Sequence, residues 1–229
     1  MNYGEVQSIA KHTLCFIKNM IKPGMKLREV RMLCEEKMLE LGADSFWYWE
    51  VGAFVFLGDE TTVSVSGRDY KTSDRKILEN DIITIDLSPQ CDHIWGDYAR
   101  TIIIENGKVA DDIASIQNTE WKKGLQMEQD LHEHLFEFVN ESVTFEDLYY
   151  HMNDIIVSEG FVNLDFLGNL GHSIEKKQED RVYIEKGNRK KLSEVSYFTF
   201  EPHIARKGSV YGYKWENIYY LVDGKLREL

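Results

Sequence analysis

The feature that most constrains this chain is a set of five potential metal ligands spread over its last two-thirds. They are Asp86 in IDLSP, Asp97 in WGDYART, His172 in LGHS, Glu201 in FTFEPH and Glu216 in KWENIYYLV. Each lies beside or within an apolar run of the kind that forms strands. Burying so many acids is costly unless cations neutralise them, so the pattern favours a fold that gathers the five around metal ions. A two-metal centre is the resulting interpretation.

The two aspartates are 11 residues apart in the chain. This spacing fits two paired strands, ITIDL and DYARTIII, joined by a tight polar turn over Pro89 to His93. Arg100 follows Asp97 by three residues, and we expect it to form a structural ion pair that orients the ligand carboxylates.

The five segments, their order and the spacing of the aspartates resemble the pita-bread metallopeptidases, a family that includes methionine aminopeptidase, aminopeptidase P, prolidase and creatinase. The similarity covers essentially the whole chain and is closest to aminopeptidase P and other Xaa-Pro peptidases. It implies an α+β fold with a curved antiparallel sheet, helices outside it and two pseudo-symmetric halves. We expect residues 1–229 to form a single catalytic domain, without the separate N-terminal domain of the longer family members.

The resemblance also implies a role for each ligand. Asp86 would chelate one metal, His172 and Glu201 would hold the other, and Asp97 and Glu216 would bridge both. A hydroxide shared by the two ions would attack a carbonyl or similar carbon while Glu201 carries the proton to the leaving amine. Two divalent ions are expected, and this ligand set suits manganese, iron(II) or cobalt, with zinc as a further option.

Four residues near the ligands are further candidates for the site. His203, two residues after Glu201, is expected either to take part in catalysis or to be structural. Trp47, Tyr48 and Trp49 form an aromatic cluster in the region that helps to line the family's substrate pocket. Core packing is the alternative for this cluster.

The chain departs from the family where substrate is handled. The peptidases carry a histidine before the first aspartate ligand, and the equivalent step lands on Asp69, which would replace an imidazole donor by a carboxylate. A second family histidine, which stabilises the tetrahedral intermediate, is also missing after His172. In the run HSIEKKQEDR only four side chains could donate hydrogen bonds in its place: Lys176, Lys177, Gln178 and Arg181.

The predicted function is therefore a dinuclear metal hydrolase that resembles aminopeptidase P or prolidase and cleaves an N-terminal peptide bond or a small amide. The first alternative is a creatinase-like or biosynthetic metalloenzyme with a substrate that is not a peptide. The second is a binding protein without activity, which the retention of all five ligands opposes. Asp69 predicts weak turnover of ordinary Xaa-Pro and Met-initiated peptides.

Composition narrows the partners and the location. With 39 acidic and 27 basic residues the net charge is −12, which makes nucleic acid a poor partner. No run is long and apolar enough to be a membrane span or a signal peptide, and three cysteines in unrelated contexts favour neither a disulfide framework nor a thiolate site. We expect a cytoplasmic protein that acts on a small peptide or amide, and a homodimer is left open.

Helical periodicity organises the rest of the chain. A first helix should stop at Lys22 to Gly24, and a second should run from about Leu27 to a C-cap at Gly42. Its apolar positions Leu27, Val30, Cys34 and Met38 recur 118 residues later as Phe145, Leu148, Met152 and Ile156. Thr144 and Asp147 resemble a capping box for that later helix, and a helical segment is expected from about Ala110 to Phe138. The runs TTVSVS and VSYFTFE are predicted strands, and Asp223-Gly224 a hairpin turn.

Overall fold

A computed structural model describes all 229 residues. The helices are α1 (Tyr3–Met20), α2 (Leu27–Glu40), α3 (Thr119–Phe138) and α4 (Phe145–Ser158). The strands are β1 (Ser45–Phe46), β2 (Ala53–Leu57), β3 (Asp81–Leu87), β4 (Pro89–Cys91), β5 (Ile94–Trp95), β6 (Tyr98–Glu105), β7 (Lys108–Val109), β8 (Phe161–Asn163), β9 (Phe198–Phe200), β10 (His203–Arg206), β11 (Gly212–Val222) and β12 (Lys225–Glu228). None of the helices combines the length and the apolar character that a membrane crossing requires.

Nine of the strands form one antiparallel sheet in the order β2-β3-β6-β11-β10-β8, with β7 beside β6 and with β9 and β12 beside β11. The predicted pairing of ITIDL with DYARTIII is confirmed, and it places Asp86 opposite Ala99. The prediction of a tight turn between these strands is wrong. Residues 89–95 instead form a small hairpin of β4 and β5, which turns at Asp92 and His93, both with positive φ.

The predicted internal repeat is present as two helix-and-sheet halves. Helices α2 and α4 each contain 14 residues and begin 118 positions apart. All eight apolar residues of the repeat are buried. One apolar cluster packs α1 and α2 on the first strands and another packs α3 and α4 on the later ones. The halves join where β6 pairs with β11. Arg100 lies opposite Trp215 and Ala99 opposite Glu216, so the sheet is continuous through both halves.

Two expected elements differ in the structure. The segment before α3 is not helical, because Asn118 caps the helix at Thr119 and the Glu105 carboxylate accepts from the Gln117 and Asn118 N–H groups. The run TTVSVS contains no strand. Its first residues belong to a 3₁₀ helix, Gly58–Thr62, whose Thr61 and Thr62 hydroxyls donate to nearby carbonyls and so compete with strand pairing.

Candidate metal centre

The sheet brings three of the five predicted ligands together by register. Asp86 is the penultimate residue of β3, Asp97 precedes β6, and Glu216 lies in β11. Asp86 and Glu216 both pair with Ala99, from opposite sides of β6, so the two acids face each other across one small residue. Oxygen atoms of Asp86, Asp97 and Glu216 lie within 4.8 Å of one another.

His172 enters from the loop between β8 and β9, and its ring is held in one orientation. Its Nδ1–H donates to the Ser173 carbonyl oxygen at 2.9 Å, and the edge of the Trp47 ring packs against the imidazole. The other ring nitrogen, Nε2, lies 3.5 Å from Asp97 Oδ2 and 3.7 Å from Glu201 Oε1. Because burial lowers the pKa of His172 to about 4, Nε2 carries a lone pair that faces two carboxylates. A cation between them would remove that repulsion.

The loop that carries His172 depends on Gly171, which adopts φ +142°. A Cβ atom at this position would overlap the Thr199 carbonyl group. Thr199 in turn binds the loop, since its hydroxyl accepts from the His172 N–H at 3.0 Å. Strand β9 therefore positions His172 as well as Glu201, which follows it directly.

The carboxylates carry more negative charge than their surroundings neutralise. Burial, with the other acids close by, raises the pKa of Asp97 and of Glu216 well above the usual range. Burial also raises the pKa of Asp86 despite the Lys214 ammonium beside it. Glu216 is fully buried, and neither of its oxygens accepts a hydrogen bond. Buried carboxylates without donors are expensive, so this donor set fits divalent cations.

Lys214 is a member of the cluster that the sequence analysis missed. Its Nζ donates to Asp86 Oδ2 at 2.6 Å and lies 3.0 Å from Glu201 Oε2 and 3.5 Å from Glu216 Oε2. Burial opposes the charge of Glu201, but the Lys214 ammonium outweighs it and lowers the pKa of that carboxyl. The signal was present in the sequence, because residues two apart on a strand share a face, and Lys214 precedes Glu216 by two.

Four of the five predicted ligands, Asp86, Asp97, His172 and Glu201, line a cavity of about 120 Å³, and Glu216 is not among its lining residues. Trp47 and Tyr48 line it, and Trp47 also stacks on Trp95 with ring centroids 4.6 Å apart. Trp49 does not line it. This residue adopts φ 57° and turns outward, where the Arg68 guanidinium covers its ring.

The structure does not bring Asp69 to the cavity, so it does not stand in for the family histidine. Asp69 is exposed, and its N–H donates to the Ser66 carbonyl oxygen in a turn. The reason lies in the next residue. The Tyr70 hydroxyl accepts from the Val55 N–H and donates to the Val55 carbonyl, which fastens Tyr70 to β2 and leaves Asp69 facing solvent.

His203 does line the cavity, with a structural contact. Its Nε2–H donates to the Thr61 carbonyl oxygen at 2.7 Å, and burial lowers its pKa to about 4. The imidazole is therefore neutral, and it ties β10 to the 3₁₀ helix. His203 forms no hydrogen bond or ion pair with any of the predicted ligands.

Of the four predicted replacement donors after His172, only Arg181 lines the cavity. Its guanidinium lies 5.1 to 5.5 Å from the ring centroids of Trp47, Tyr48 and Tyr183, and its Nε–H donates to the Gln178 carbonyl oxygen. Stacking on aromatic faces holds a guanidinium in place while its remaining N–H groups stay available.

Arg100 is structural but does not form the predicted ion pair with the ligand carboxylates. It donates to the main-chain carbonyl oxygens of Ala99 and Glu216 and to Asn217 Oδ1, and it lies between the Tyr98 and Trp215 rings. Arg100 thus braces the β6–β11 junction through the backbone of a ligand residue.

Comparison with known proteins places this geometry in context. The sequence matches Metallopeptidase family M24 over residues 2–223. Among curated proteins no sequence matches the chain. Solved structures similar to it include an X-Pro aminopeptidase from Thermotoga maritima, at 22% identity and a TM-score of 0.80, and a prolidase from Pyrococcus furiosus, at 20% and 0.81.

Those two alignments cover 99% of this chain but 59% and 61% of the other chains, so the chain spans about three-fifths of their length. A methionine aminopeptidase from Thermotoga maritima is also similar, at 14% identity and a TM-score of 0.76, with 98% of this chain and 93% of that one covered. At these identities the likeness concerns the fold, and it confirms the predicted pita-bread architecture.

Proposed function

The chain belongs to metallopeptidase family M24, and on this premise we propose that it is a metal-dependent hydrolase of an N-terminal peptide bond or a small amide. One observation carries the proposal. Three carboxylates and a neutral imidazole line the cavity, and the buried Glu216, with an oxygen within 4.8 Å of oxygens of Asp86 and Asp97, has no hydrogen-bond donor. Hydrolysis uses such a set, whereas a binding module has no need to bury it.

The resemblance implies that Asp86, Asp97, His172, Glu201 and Glu216 hold the metal. Manganese, iron(II) or cobalt suit these oxygen and nitrogen donors, with zinc as a further option. When bound here, divalent cations supply the Lewis acidity that activates water and polarises a carbonyl group. The resemblance implies two ions, and the position of Lys214 bears on that number, as argued below.

Glu201 is the proposed proton carrier. Its pKa is lowered, so it is ionised and can accept a proton from the attacking water and pass it to the leaving amine. Arg181 would replace the missing second histidine as the hydrogen-bond donor to the tetrahedral intermediate. Its guanidinium can donate to the oxygen of the substrate carbonyl as negative charge develops there. Trp47 and Tyr48 would exclude water from the reacting atoms and hold this guanidinium.

A substrate that is not a peptide remains the second candidate. It is favoured by the absence of both family histidines: Asp69 stands at the first position and does not line the cavity, and the run after His172 contains no histidine. We place the reaction in the cytoplasm. The three cysteines form no disulfide, which agrees with that location.

The test is hydrolysis by protein loaded with Mn²⁺, on a panel of Xaa-Pro dipeptides, Met-initiated peptides and small amides, with and without chelator. We expect turnover of at least one substrate that chelation abolishes. Glu201→Gln should lower that turnover by about 10²- to 10⁴-fold, because the amide cannot carry the proton. Glu159→Gln, at an exposed position after α4, is the matched control. Turnover that survives chelation, or that Glu201→Gln leaves within a few-fold, would refute the proposal.

A further inference from the structure

The ammonium group of Lys214 lies among the predicted metal ligands. It contacts Asp86 at 2.6 Å, Glu201 at 3.0 Å and Glu216 at 3.5 Å. In the ion-pair network Asp86 meets this cation alone, whereas Glu201 also faces His172 and Glu216 also lies near Asp97. The Lys214 ammonium neutralises Asp86 and Glu201 and donates hydrogen bonds to them. A divalent ion at the same point would likewise neutralise these two acids.

Lys214 reaches this position because of the strand that carries it. In β11, Lys214 and Glu216 are two residues apart and share the inner face of the sheet. The backbone at Lys214 is held by neighbours on both sides, as its N–H donates to Thr101 Oγ1 and it pairs with His203 of β10. Only 16% of the Lys214 side chain is exposed. Little water therefore reaches the ammonium, and the three carboxylates are its main hydrogen-bond and charge partners.

On the other side of the cluster, Asp97 forms no ion pair with a lysine or arginine side chain. There His172 Nε2 lies 3.5 Å from Asp97 Oδ2 and 3.7 Å from Glu201 Oε1, and Glu216 contributes a carboxylate without a donor. Ligand atoms bound at about 2.1 Å to one ion lie roughly 3 to 3.5 Å apart, so the contacts of His172 with Asp97 and Glu201 are close to the spacing that a single ion requires.

We propose that the Lys214 ammonium takes the place of one of the two metal ions, so that the centre holds a single divalent ion among His172, Asp97, Glu201 and Glu216. The inference rests on the proposed function, because it concerns the same ligands. Asp86 then acts as the partner of Lys214 and not as a metal chelator. A second ion would have to share Asp86 with the ammonium, and the two positive charges would repel each other across the same oxygens.

The experiment counts Mn²⁺ ions. Purified protein is stripped with chelator, dialysed against Mn²⁺ and analysed for bound manganese per chain, and electron paramagnetic resonance distinguishes isolated from coupled ions. We expect one isolated Mn²⁺ in the wild type. Lys214→Met, which keeps the aliphatic stem and removes the charge, should bind two coupled ions. Lys207→Met, at an exposed position after β10, should match the wild type.

Two tightly bound Mn²⁺ ions in the wild type would overturn the inference, and so would one ion in both the wild type and Lys214→Met. The wild-type count stands even when the methionine variant misfolds, and Lys214→Gln then repeats the comparison. Two ions with metal-dependent hydrolysis would leave the proposed function intact and refute only the role of Lys214. No bound Mn²⁺ in any variant, with no turnover, would refute both.

Discussion

At the scale of single residues, two arginines divide the aromatic cluster of Trp47, Tyr48 and Trp49 between the inside and the outside of the cavity. Arg181 lies over Trp47 and Tyr48 and lines the cavity, whereas Arg68 covers Trp49 at the surface. The same pairing of guanidinium and indole therefore occurs once where substrate would bind and once where it would not.

This pair gives a matched test. Arg181→Gln should lower kcat by about 10²- to 10³-fold on the substrate found in the panel, as expected for the loss of one donor to a developing negative charge. Arg68→Gln should leave kcat and KM unchanged, because its side chain lies outside the cavity. Steady-state kinetics on both variants decides the matter. Equal effects of the two substitutions would assign Arg181 a merely structural role.

His132 shows how a buried polar residue can set the pH range in which the fold is stable. It lies on α3, with Nδ1 accepting from the Tyr219 hydroxyl at 2.6 Å and Nε2–H donating to the Trp215 carbonyl at 3.0 Å. Burial, with Arg100 nearby, lowers its pKa from 6.5 to about 3. The neutral ring satisfies both partners, whereas protonation would place a charge in the core.

The pKa of His132 is lower in the folded chain than in the unfolded one, so the unfolded chain takes up the proton first as pH falls. The stabilisation is fully present above pH 6.5 and is lost progressively toward pH 3. In the wild type, proton uptake by His132 on unfolding should lower the free energy of unfolding by about 2 kcal/mol between pH 7 and pH 5. In His132→Gln this part of the decrease should be absent. Urea unfolding at both pH values measures this. His134→Gln, on the same helix but with 45% of its side chain exposed, should keep the wild-type dependence; identical slopes in all three proteins would contradict the assignment.

At the scale of elements, α3 packs against β11 through Gly124. This glycine is buried, and a Cβ atom there would overlap the ring of Tyr213, which is itself fully buried. The close approach matters for the site, because β11 also carries Lys214 and Glu216. A glycine within a helix is otherwise unfavourable, so its position here marks a steric requirement.

We therefore expect Gly124→Ala to destabilise the protein by about 1 to 3 kcal/mol, although the same change at an open helical position would stabilise it by roughly 1 kcal/mol. The neighbouring exposed substitution Lys123→Ala should alter stability by less than about 0.5 kcal/mol. Chemical denaturation of the two variants compares them directly. A stabilised Gly124→Ala protein would show that α3 can move away from β11 at no cost.

At the scale of the whole molecule, the predicted ligands come from both halves of the repeat. Asp86 and Asp97 belong to the first half, and His172, Glu201 and Glu216 to the second. The sheet continues from one half to the other through the hydrogen-bonded pairing of β6 with β11. Metal that binds this centre would thus couple the stability of one half to that of the other.

Mn²⁺ at about 100 times its dissociation constant should stabilise the wild type by roughly 2.7 kcal/mol, because it binds the folded chain in preference to the unfolded one. For a chain of this size that corresponds to a rise in Tm of roughly 5 to 10 °C. Differential scanning calorimetry of stripped and loaded protein measures it, with Glu216→Gln as the variant that should lose the increment. Hydrogen exchange should slow in both β6, which follows Asp97, and β11, which carries Glu216, and protection confined to one half would argue against a shared centre.

Local patterns in the sequence sufficed for much of this architecture. The apolar periodicity from Leu27 to Met38 and its recurrence from Phe145 to Ile156 predicted two helices and their symmetry, because helical burial repeats every three to four residues whatever the partner. Strand alternation and the aspartate spacing predicted the β3–β6 pairing. The boundary of α3 was beyond reach, since it depends on Glu105, a residue distant in sequence, binding the backbone before Thr119.

The sequence by itself determined the set of five potential ligands and the repeat that brings them to one sheet, since both are written in residue type and spacing. Only the tertiary structure decided which charged groups share that site. Lys214 meets Asp86 across 128 residues of chain, and Arg181 meets Trp47, whereas Asp69 is turned away by Tyr70. Such contacts depend on the register of strands and on the path of loops, which arise from the packing of the entire molecule.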